Sequence, residues 1–491
     1  MNLLILLLIS FATASYIHHP DRYNMVQQGS FKSHNVKPGS IIWIQKRDLL
    51  SLGDQKFQLL NNELLMQKQD PFEKVSYEKS TPVLEQCRKD SYVIESKQEL
   101  YALQNACQKL MGSIHISNYD SSDVDFGNIE EIEGSIQIEE NSNIVNINAP
   151  HLKKIKDTFV LQSLTSLVSL NIPELVSVKV IDWKVVPILN YVQLNKEITE
   201  IESITISDTS LSYIDGFDNI EKISTFNINN NRFLETIKTN LKEVTEQFTI
   251  HANSRELELE MPELQYAKNI TVRDTSKVSF PKLEKVTSSM EFIENIFTDL
   301  EIPTLTSVGG TVGIIDNPNL SNVDLSGITF INGGLMVTKN DKLTNLSFLP
   351  KLKQIGGAIH FEGKFQETDF PDLKLVKGSA YINSNSDQLD CDTWTTPVSG
   401  RSIIRGGKIE CISGKKQKSL SVNEDGEVIK GSEKSTNNDE KDKSKDSGES
   451  SGKKPGYFSR IKNDSTSYSN QFSYFHLAVS VIFCSSMLLH I

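Results

Sequence analysis

The sequence is poor in the residues and patterns that most catalytic and nucleic-acid chemistry requires. Its nine histidines are scattered, without the spacings of a zinc site. It has no basic stripe or arginine-rich helix, and its net charge of −12 argues against nucleic acid as a partner. No nucleophile elbow or phosphate-binding loop stands out. The apolar runs at 3–9 and 477–489 are both short for a membrane span. Catalysis, metal chemistry and nucleic-acid binding therefore begin without support.

What is present is repetition. Between 114 and 382 a short strand motif (apolar, any, apolar) recurs about thirteen times at intervals of 20 to 24 residues. Its copies start at positions such as Ile114, Ile136, Phe226, Ile270 and Ala380. Period two within each copy puts one face inside and one outside, and a fixed long period makes the chain a solenoid of stacked coils. Asparagine follows three residues after many copies, at Asn141, Asn231, Asn253, Asn295, Asn317, Asn340 and Asn385, with Thr209 and Thr275 between. Asparagine tolerates left-handed backbone and its amide bonds neighbouring backbone groups, so this column is expected to satisfy the corners. A Pro-x-Leu step at Pro150, Pro173, Pro262, Pro281, Pro303, Pro350 and Pro371 keeps the same period. Paired glycines at 309–310, 333–334 and 356–357 recur once per coil and read as turns that precede strands.

The ends differ from the array. Residues 1–14 read as a signal peptide, closed by the small-x-small step Ala12-Thr13-Ala14, and 15–86 as an N-terminal extension. Cys87 with Cys107 and Cys391 with Cys411 flank the array at equal spacing and are expected to form disulfides that clamp its caps, each contributing about 3 kcal/mol. Other pairings would have to join opposite ends of a rod. The fifth cysteine, Cys484, lies in the apolar tail. Residues 412–463, rich in Ser, Lys, Asp and Glu, read as a disordered stalk, which bounds the solenoid at 87–411. Residues 464–491 read as a glycosylphosphatidylinositol (GPI) attachment propeptide, with Asn463 as the attachment residue and Ser465 or Ser469 as alternatives. A terminal membrane helix is the competing reading. Asn269, Asn319 and Asn345 open N-glycosylation sequons on the array, and Asn463 opens another that competes with lipid attachment.

The middle residue of each strand motif points outward. These form a column about 60 Å long that includes Thr205, Asn227, Thr249, Thr271, Glu291, His360 and Tyr381, a candidate face for a polysaccharide or protein ligand. A hydrolase would need two carboxylates converging on one bond. Asp208 and Asp274 occupy equivalent positions three coils apart, about 14 Å by the coil spacing, which is too far. Asp120, Asp123 and Asp125 read as a polar turn near the first cap. No enzyme activity and no cofactor are expected.

The order of signal peptide, cysteine cap, coils of about 22 residues, second cysteine cap, polar stalk and lipid signal resembles the fungal Ecm and Sps cell-wall proteins. The segment Tyr213-Ile214-Asp215-Gly216-Phe217, followed by Phe226-Asn227-Ile228-Asn229-Asn230-Asn231-Arg232, carries the resemblance most strongly. The arrays of that family are similar to the receptor L-domain. The resemblance implies an all-β fold: a right-handed parallel β-helix, leucine-rich-repeat-like, with disulfide-clamped caps. It also implies a GPI-anchored glycoprotein of the plasma membrane outer leaflet and the wall, with glucan or wall proteins as partners and no catalytic residues. The long extension 15–86 resembles the sporulation-specific branch and points to the ascospore wall. A receptor-like surface module that binds its ligand on the sheet face is the alternative. Lys453, Lys454, Arg460 and Lys462, just before the attachment site, resemble signals for retention at the membrane.

A two-chain lipid anchor holds a protein until its head group is cut. Phosphatidylinositol-specific phospholipase C is expected to release the protein from intact cells, with glucanase freeing any wall-linked remainder. Release by detergent alone would identify 477–489 as a membrane helix.

Overall fold

The computed structural model describes residues 42–45, 72–75, 84–195, 197–397 and 400–435. The expected signal peptide, most of the extension, the stalk beyond 435, Asn463, Cys484 and the attachment segment lie outside these residues. Among the described residues the chain is almost entirely β, and it forms the expected parallel solenoid.

The thirteen expected strands stack in parallel without a slip in the motif. Ile114 pairs with Ile136, Ile136 with Phe159, and so on to Ile359 with Ala380. A further rung joins at each end: Ser91–Ile94 pairs with Ser113–Ile116, and Gly407–Ser413 pairs with Ala380–Ser384. The two apolar positions of each motif point into the coil, where Ile136, Ile138, Phe226, Ile228, Met290 and Phe292 are fully buried. Each such burial stabilises the fold by about 1.5–3 kcal/mol. Phenylalanines on successive coils make an aromatic spine, with Phe226 and Phe248 stacked at 5.7 Å and Phe248 edge-on to Phe280 at 5.9 Å.

Two other strand stacks close each coil. One runs from Lys109–Leu110 through Glu131–Ile132 and, further along, from Tyr266–Ala267 to Leu375–Val376. Long strands such as Lys154–Gln162 and Lys222–Asn229 bend through the corner between this stack and the main sheet. Their pairing registers shift at that bend, between Ile155 and Thr158 and between Ile223 and Thr225. The other stack begins with Asp123–Asp125, Asn146–Asn148, Ser169–Ile172 and Tyr191–Leu194, stops, and resumes at Thr236–Lys238. The paired glycines are turns before main-sheet strands, as expected, and coil stacking fixes their identity. A Cβ on Gly333 would stand 2.4 Å from the backbone carbon of Gly310.

The corner after the main strand departs from expectation. The left-handed residue is one position before the asparagine column. It is seldom an asparagine: Glu140, Ser163, Val185, Asp208, Ala252, Asp274, Glu294, Asp316 and Lys339 all have φ between 50° and 58°. The asparagines themselves are buried and act only through their amides. Asn231 donates from Nδ2 to the Ile206 carbonyl at 3.1 Å and to Asn253 Oδ1 at 3.0 Å. Two runs result, Thr209–Asn231–Asn253 and Thr275–Asn295–Asn317–Asn340. Asn385 does not join: it is exposed, and the buried Ser384 turns that corner, its Oγ donating to the Phe365 carbonyl at 2.6 Å.

Both expected disulfides are formed, with Cα–Cα distances of 5.8 Å for Cys87–Cys107 and 5.7 Å for Cys391–Cys411. The first leads into a cap helix, Lys97–Ala106, that the sequence reading missed although a capping box marks its start. Ser96 accepts from the Glu99 backbone, and Glu99 reaches back to the Ser96 N–H at 3.2 Å. At the other end Trp394 packs edge-on to Phe361 at 6.0 Å, and its indole N–H donates to Thr368 Oγ1 at 2.8 Å.

The first part of the segment expected to be disordered stalk is folded. Lys416–Val422 and Val428–Ser435 add two antiparallel strands to the last rung. Their polar composition hid them, because Val422 is the one buried side chain among 416–422 and 428–434. The turn Asn423-Glu424-Asp425-Gly426 was the available signal. Asn423 Oδ1 accepts from the Glu427 N–H at 2.8 Å, and Gly426 supplies φ 80°. Lys430 and Lys434 lie on the exposed edge strand, a residue type that discourages edge-to-edge pairing.

A β-branched residue in the left-handed region is strained by about 1–2 kcal/mol, and glycine there gives back about 0.5–1 kcal/mol in unfolded-chain entropy. Val185→Gly is therefore expected to stabilise the protein by up to about 1 kcal/mol in denaturant unfolding. A loss would show that Val185 contributes more by packing than it costs in strain.

Candidate functional site

The outward positions of the main sheet form one continuous column. Thr205 pairs with Asn227, Asn227 with Thr249, Thr249 with Thr271 and Thr271 with Glu291. Gly313 and Met336 separate that group from His360 and Tyr381, which are neighbours. All seven candidate face residues thus share one face, in groups of five and two. The end rungs lengthen the column by Val93 and Glu410. The added first rung was legible: Ser91-Tyr92-Val93-Ile94 stands one period before Ser113-Ile114-His115-Ile116.

The face is less solvated than an outward ladder suggests. Thr249 is buried, and the His360 side chain is only 19% exposed. Flat stacking causes this, since each side chain has neighbours on the rung before, the rung after and the same strand. Hydrogen bonds cross-link the face: Ser207 Oγ donates to Asn229 Oδ1 at 2.7 Å, Asn229 Nδ2 to Asn227 Oδ1 at 3.0 Å, and Gln247 Nε2 to Thr249 Oγ1 at 2.9 Å. His360 packs edge-on against Tyr381, with ring centroids 5.1 Å apart, and its Nε2 lies 3.6 Å from Glu362.

Charge is distributed unevenly along the column. Asp182 pairs with Lys184 at one end, and Lys408 with Glu410 at the other. On the main-sheet rungs from that of Ser203 to that of Thr271 the outward positions are hydroxyls, amides and one histidine, namely Ser203, Thr205, Ser207, Thr225, Asn227, Asn229, Gln247, Thr249, His251 and Thr271, until Arg273 closes the last rung and donates to Glu294 at 2.6 Å. Burial lowers the His251 pKa, and neighbouring Arg273 adds to the effect. Burial raises the Glu291 carboxyl above its ordinary value, with Arg273 pulling the other way. It likewise pushes the His360 ring below its ordinary value, against the pull of Glu362.

The acidic residues weighed for catalysis have structural partners. Asp208 and Asp274 are left-handed corner residues, and Asp274 accepts from the Ala252 N–H at 3.0 Å. Asp120 accepts from the Lys97 N–H at the cap helix start at 2.9 Å. Asp123 accepts from Asn146 at 2.8 Å, which holds its carboxyl below the usual range, and Asp125 accepts from the Gly127 N–H at 3.0 Å. The three sequons do not cluster. Asn269 precedes the main-sheet strand Ile270–Arg273, Asn319 donates to the Ile296 carbonyl at 3.2 Å in a corner turn, and Asn345 is exposed on another side.

No family model matches the chain, and no solved structure matches it. It is 48% identical over 402 residues to sporulation-specific protein 22 of Saccharomyces cerevisiae, covering 81% of this chain and 83% of that one. It is 46% identical to sporulation-specific protein 2 of the same yeast, over 81% of this chain and 80% of that one. The protein ecm33 of Aspergillus fumigatus is 34% identical, over 62% of this chain and 75% of its own length.

The shifted histidines, His251 and His360, and the shifted carboxyl of Glu291 give opposite pH signatures. A histidine whose folded pKa is lowered binds fewer protons when folded, so acidification through its unfolded value of 6.5 removes stability. A carboxyl whose folded pKa is raised costs stability as pH rises above its unfolded value of 4.5. His360→Asn is expected to flatten the loss of stability between pH 7 and about pH 5. Glu291→Gln is expected to raise the melting temperature at pH 7 and to lose that advantage below about pH 4. Parallel profiles for wild type and both variants would show that neither group titrates differently in the fold.

Proposed function

The chain belongs to the fungal Ecm and Sps family of cell-wall proteins, and from that premise we propose that it is a non-enzymatic organiser of the ascospore wall that works by holding glucan along its main sheet. It is a protein of the secretory pathway, the cell surface and the wall. The sporulation-specific relatives support the developmental stage. The observation that carries the chemistry is the strip from Ser203 to Thr271, which spans four rungs, about 15 Å from the first to the last, and whose one charged outward main-sheet position is Arg273 at the edge of the last rung, paired with Glu294. A neutral polyhydroxylated chain exchanges hydrogen bonds with hydroxyls and amides and gains nothing from charge. The bonds that already link Ser207, Asn227 and Asn229 preorganise those groups and reduce the ordering cost of binding.

GPI attachment at Asn463 and glycans on Asn269, Asn319 and Asn345 belong to the same reading. The anchor would tether the rod at its C-terminal side, and a glycan on Asn269 would stand beside the strip.

Protein released from cells by phospholipase C is expected to sediment with insoluble β-glucan. Asn227→Lys combined with Thr271→Lys, which places two charges in the strip without touching the core, is expected to weaken this at least tenfold while the melting temperature stays within a few degrees. Sporulating cells that carry only this variant are expected to form spores with a defective wall. If wild-type protein stays in the supernatant, or the variant sediments equally well, the strip does not hold glucan.

A further inference from the structure

One buried side chain of the array breaks the core pattern. Where the neighbouring rungs carry Leu161 and Ile206, the rung between them carries Trp183, 1% exposed and edge-on to Phe159 with ring centroids 5.8 Å apart. Its Nε1 is buried and has no hydrogen-bond partner among the described residues. A buried indole N–H ordinarily finds an acceptor, as that of Trp394 does at Thr368, because leaving it unpaired is costly.

The same ring lines a shallow cleft that opens where the third strand stack is interrupted. Tyr191–Leu194 pairs with Ser169–Ile172 on one side and with no strand among the described residues on the other, while the next coil contributes only the single bridge of Tyr213 to Thr236. Leu211 and Phe217 are buried with Trp183 in the lining, and Asn190, Tyr213 and Asp215 reach solvent. Gly216 holds the segment in this shape: its φ is 94°, its N–H donates to Asp215 Oδ1 at 2.8 Å, and a Cβ there would stand 3.0 Å from that of Leu194. The cleft thus joins an apolar, aromatic interior that holds one unpaired donor to an amide and a carboxylate at the surface.

We propose that this cleft binds one ring of a neutral sugar chain, with the Trp183 indole N–H donating to a sugar hydroxyl. The lining selects that chemistry. The indole needs an acceptor oxygen, which neither an ammonium group nor a hydrocarbon supplies. An anion would supply one but would meet the Asp215 carboxylate. A hydroxyl accepts from the indole and donates to a carboxylate, and the C–H face of a pyranose packs on side chains such as Tyr213 and Phe217. The site is distinct from the strip on the main sheet and close to it in the chain, because the strand Ser203–Thr209 of the strip's first rung leads directly into the segment that lines the cleft. Taking glucan as the sugar chain rests on the function proposed above.

Tryptophan fluorescence of the purified full chain, titrated with a soluble β-1,3-gluco-oligosaccharide, tests this. A saturable response is expected that Trp43→Phe leaves in place and Trp183→Phe removes. In isothermal titration calorimetry, which needs no fluorophore, Trp183→Phe and Tyr213→Ala are each expected to weaken binding about tenfold. Tyr213 is exposed, so its variant reports on the cleft even if Trp183→Phe does not fold. Asn227→Lys with Thr271→Lys is expected to keep the response while losing sedimentation with insoluble glucan. Absence of a saturable response overturns the proposal, and sedimentation of that same wild-type protein would leave the strip standing. A response without sedimentation overturns the strip alone. Loss of the response in the strip variant also overturns the cleft, because the oligosaccharide then sits on the main sheet. So does a response to butylammonium with none to the oligosaccharide, which would assign the cleft to a lysine side chain.

Discussion

Every coil of this rod must turn a corner whose backbone groups point away from water, and the rest of the structure depends on how those groups are satisfied. Three sides joined by tight corners leave carbonyls and N–H groups that the strand ladders do not reach, and each one left unpaired and buried costs about 1–3 kcal/mol. In nine coils a buried amide or hydroxyl does the work, at Asn141, Thr209, Asn231, Asn253, Thr275, Asn295, Asn317, Asn340 and Ser384. Asn317 is typical: its Nδ2 donates to the Phe292 carbonyl, and its Oδ1 accepts two bonds from Asn295. Each side chain in a run satisfies one coil while holding the next, so the corner is also the contact that sets coil spacing. At Leu164 and Val186 an apolar residue takes the position, and backbone bonds such as Leu164 N–H to the Val185 carbonyl carry the corner alone.

Regular corners make a regular face. Because the spacing does not drift, side chains from distant parts of the sequence line up in one straight column, and a polymer with its own repeat can meet the same chemistry rung after rung. The lack of charge through the middle of that column, set against the many Lys–Glu pairs on the other sides, separates a face suited to a neutral polymer from faces that keep the rod soluble. Lys109 with Glu131, Lys238 with Glu260 and Lys282 with Glu263 are such pairs, each linking neighbouring coils. Exposed pairs of this kind contribute little to stability individually.

Much of this was legible before any coordinates. The apolar-any-apolar motif located thirteen of the fifteen parallel rungs of the main sheet because a buried pair at period two has no other explanation at a fixed interval near 22 residues, and the two cysteine pairs marked both caps. What escaped had physical reasons. The left-handed residue was assigned to the asparagines because asparagine tolerates that backbone. In the fold the amide is needed inside, and Asp316 or Lys339, whichever residue precedes, takes the strained position. The strands at Lys416–Val422 and Val428–Ser435 escaped because a solvent-facing hairpin has nearly the composition of a stalk. The break in the third stack after Tyr191–Leu194 left one mark in the sequence, Pro187, which stands out of phase with the Pro-x-Leu steps.

The corner ladder is the claim on which the account rests, and Asn317→Ala tests it most directly. That substitution removes the partner of the Phe292 carbonyl and of both Asn295 donors. Equilibrium unfolding of the disulfide-intact protein in denaturant is expected to show a loss of about 3 kcal/mol or more, with the transition still cooperative. A loss below about 0.5 kcal/mol, the size of an ordinary surface substitution, would mean that strand pairing and the apolar core hold the coils without the ladder.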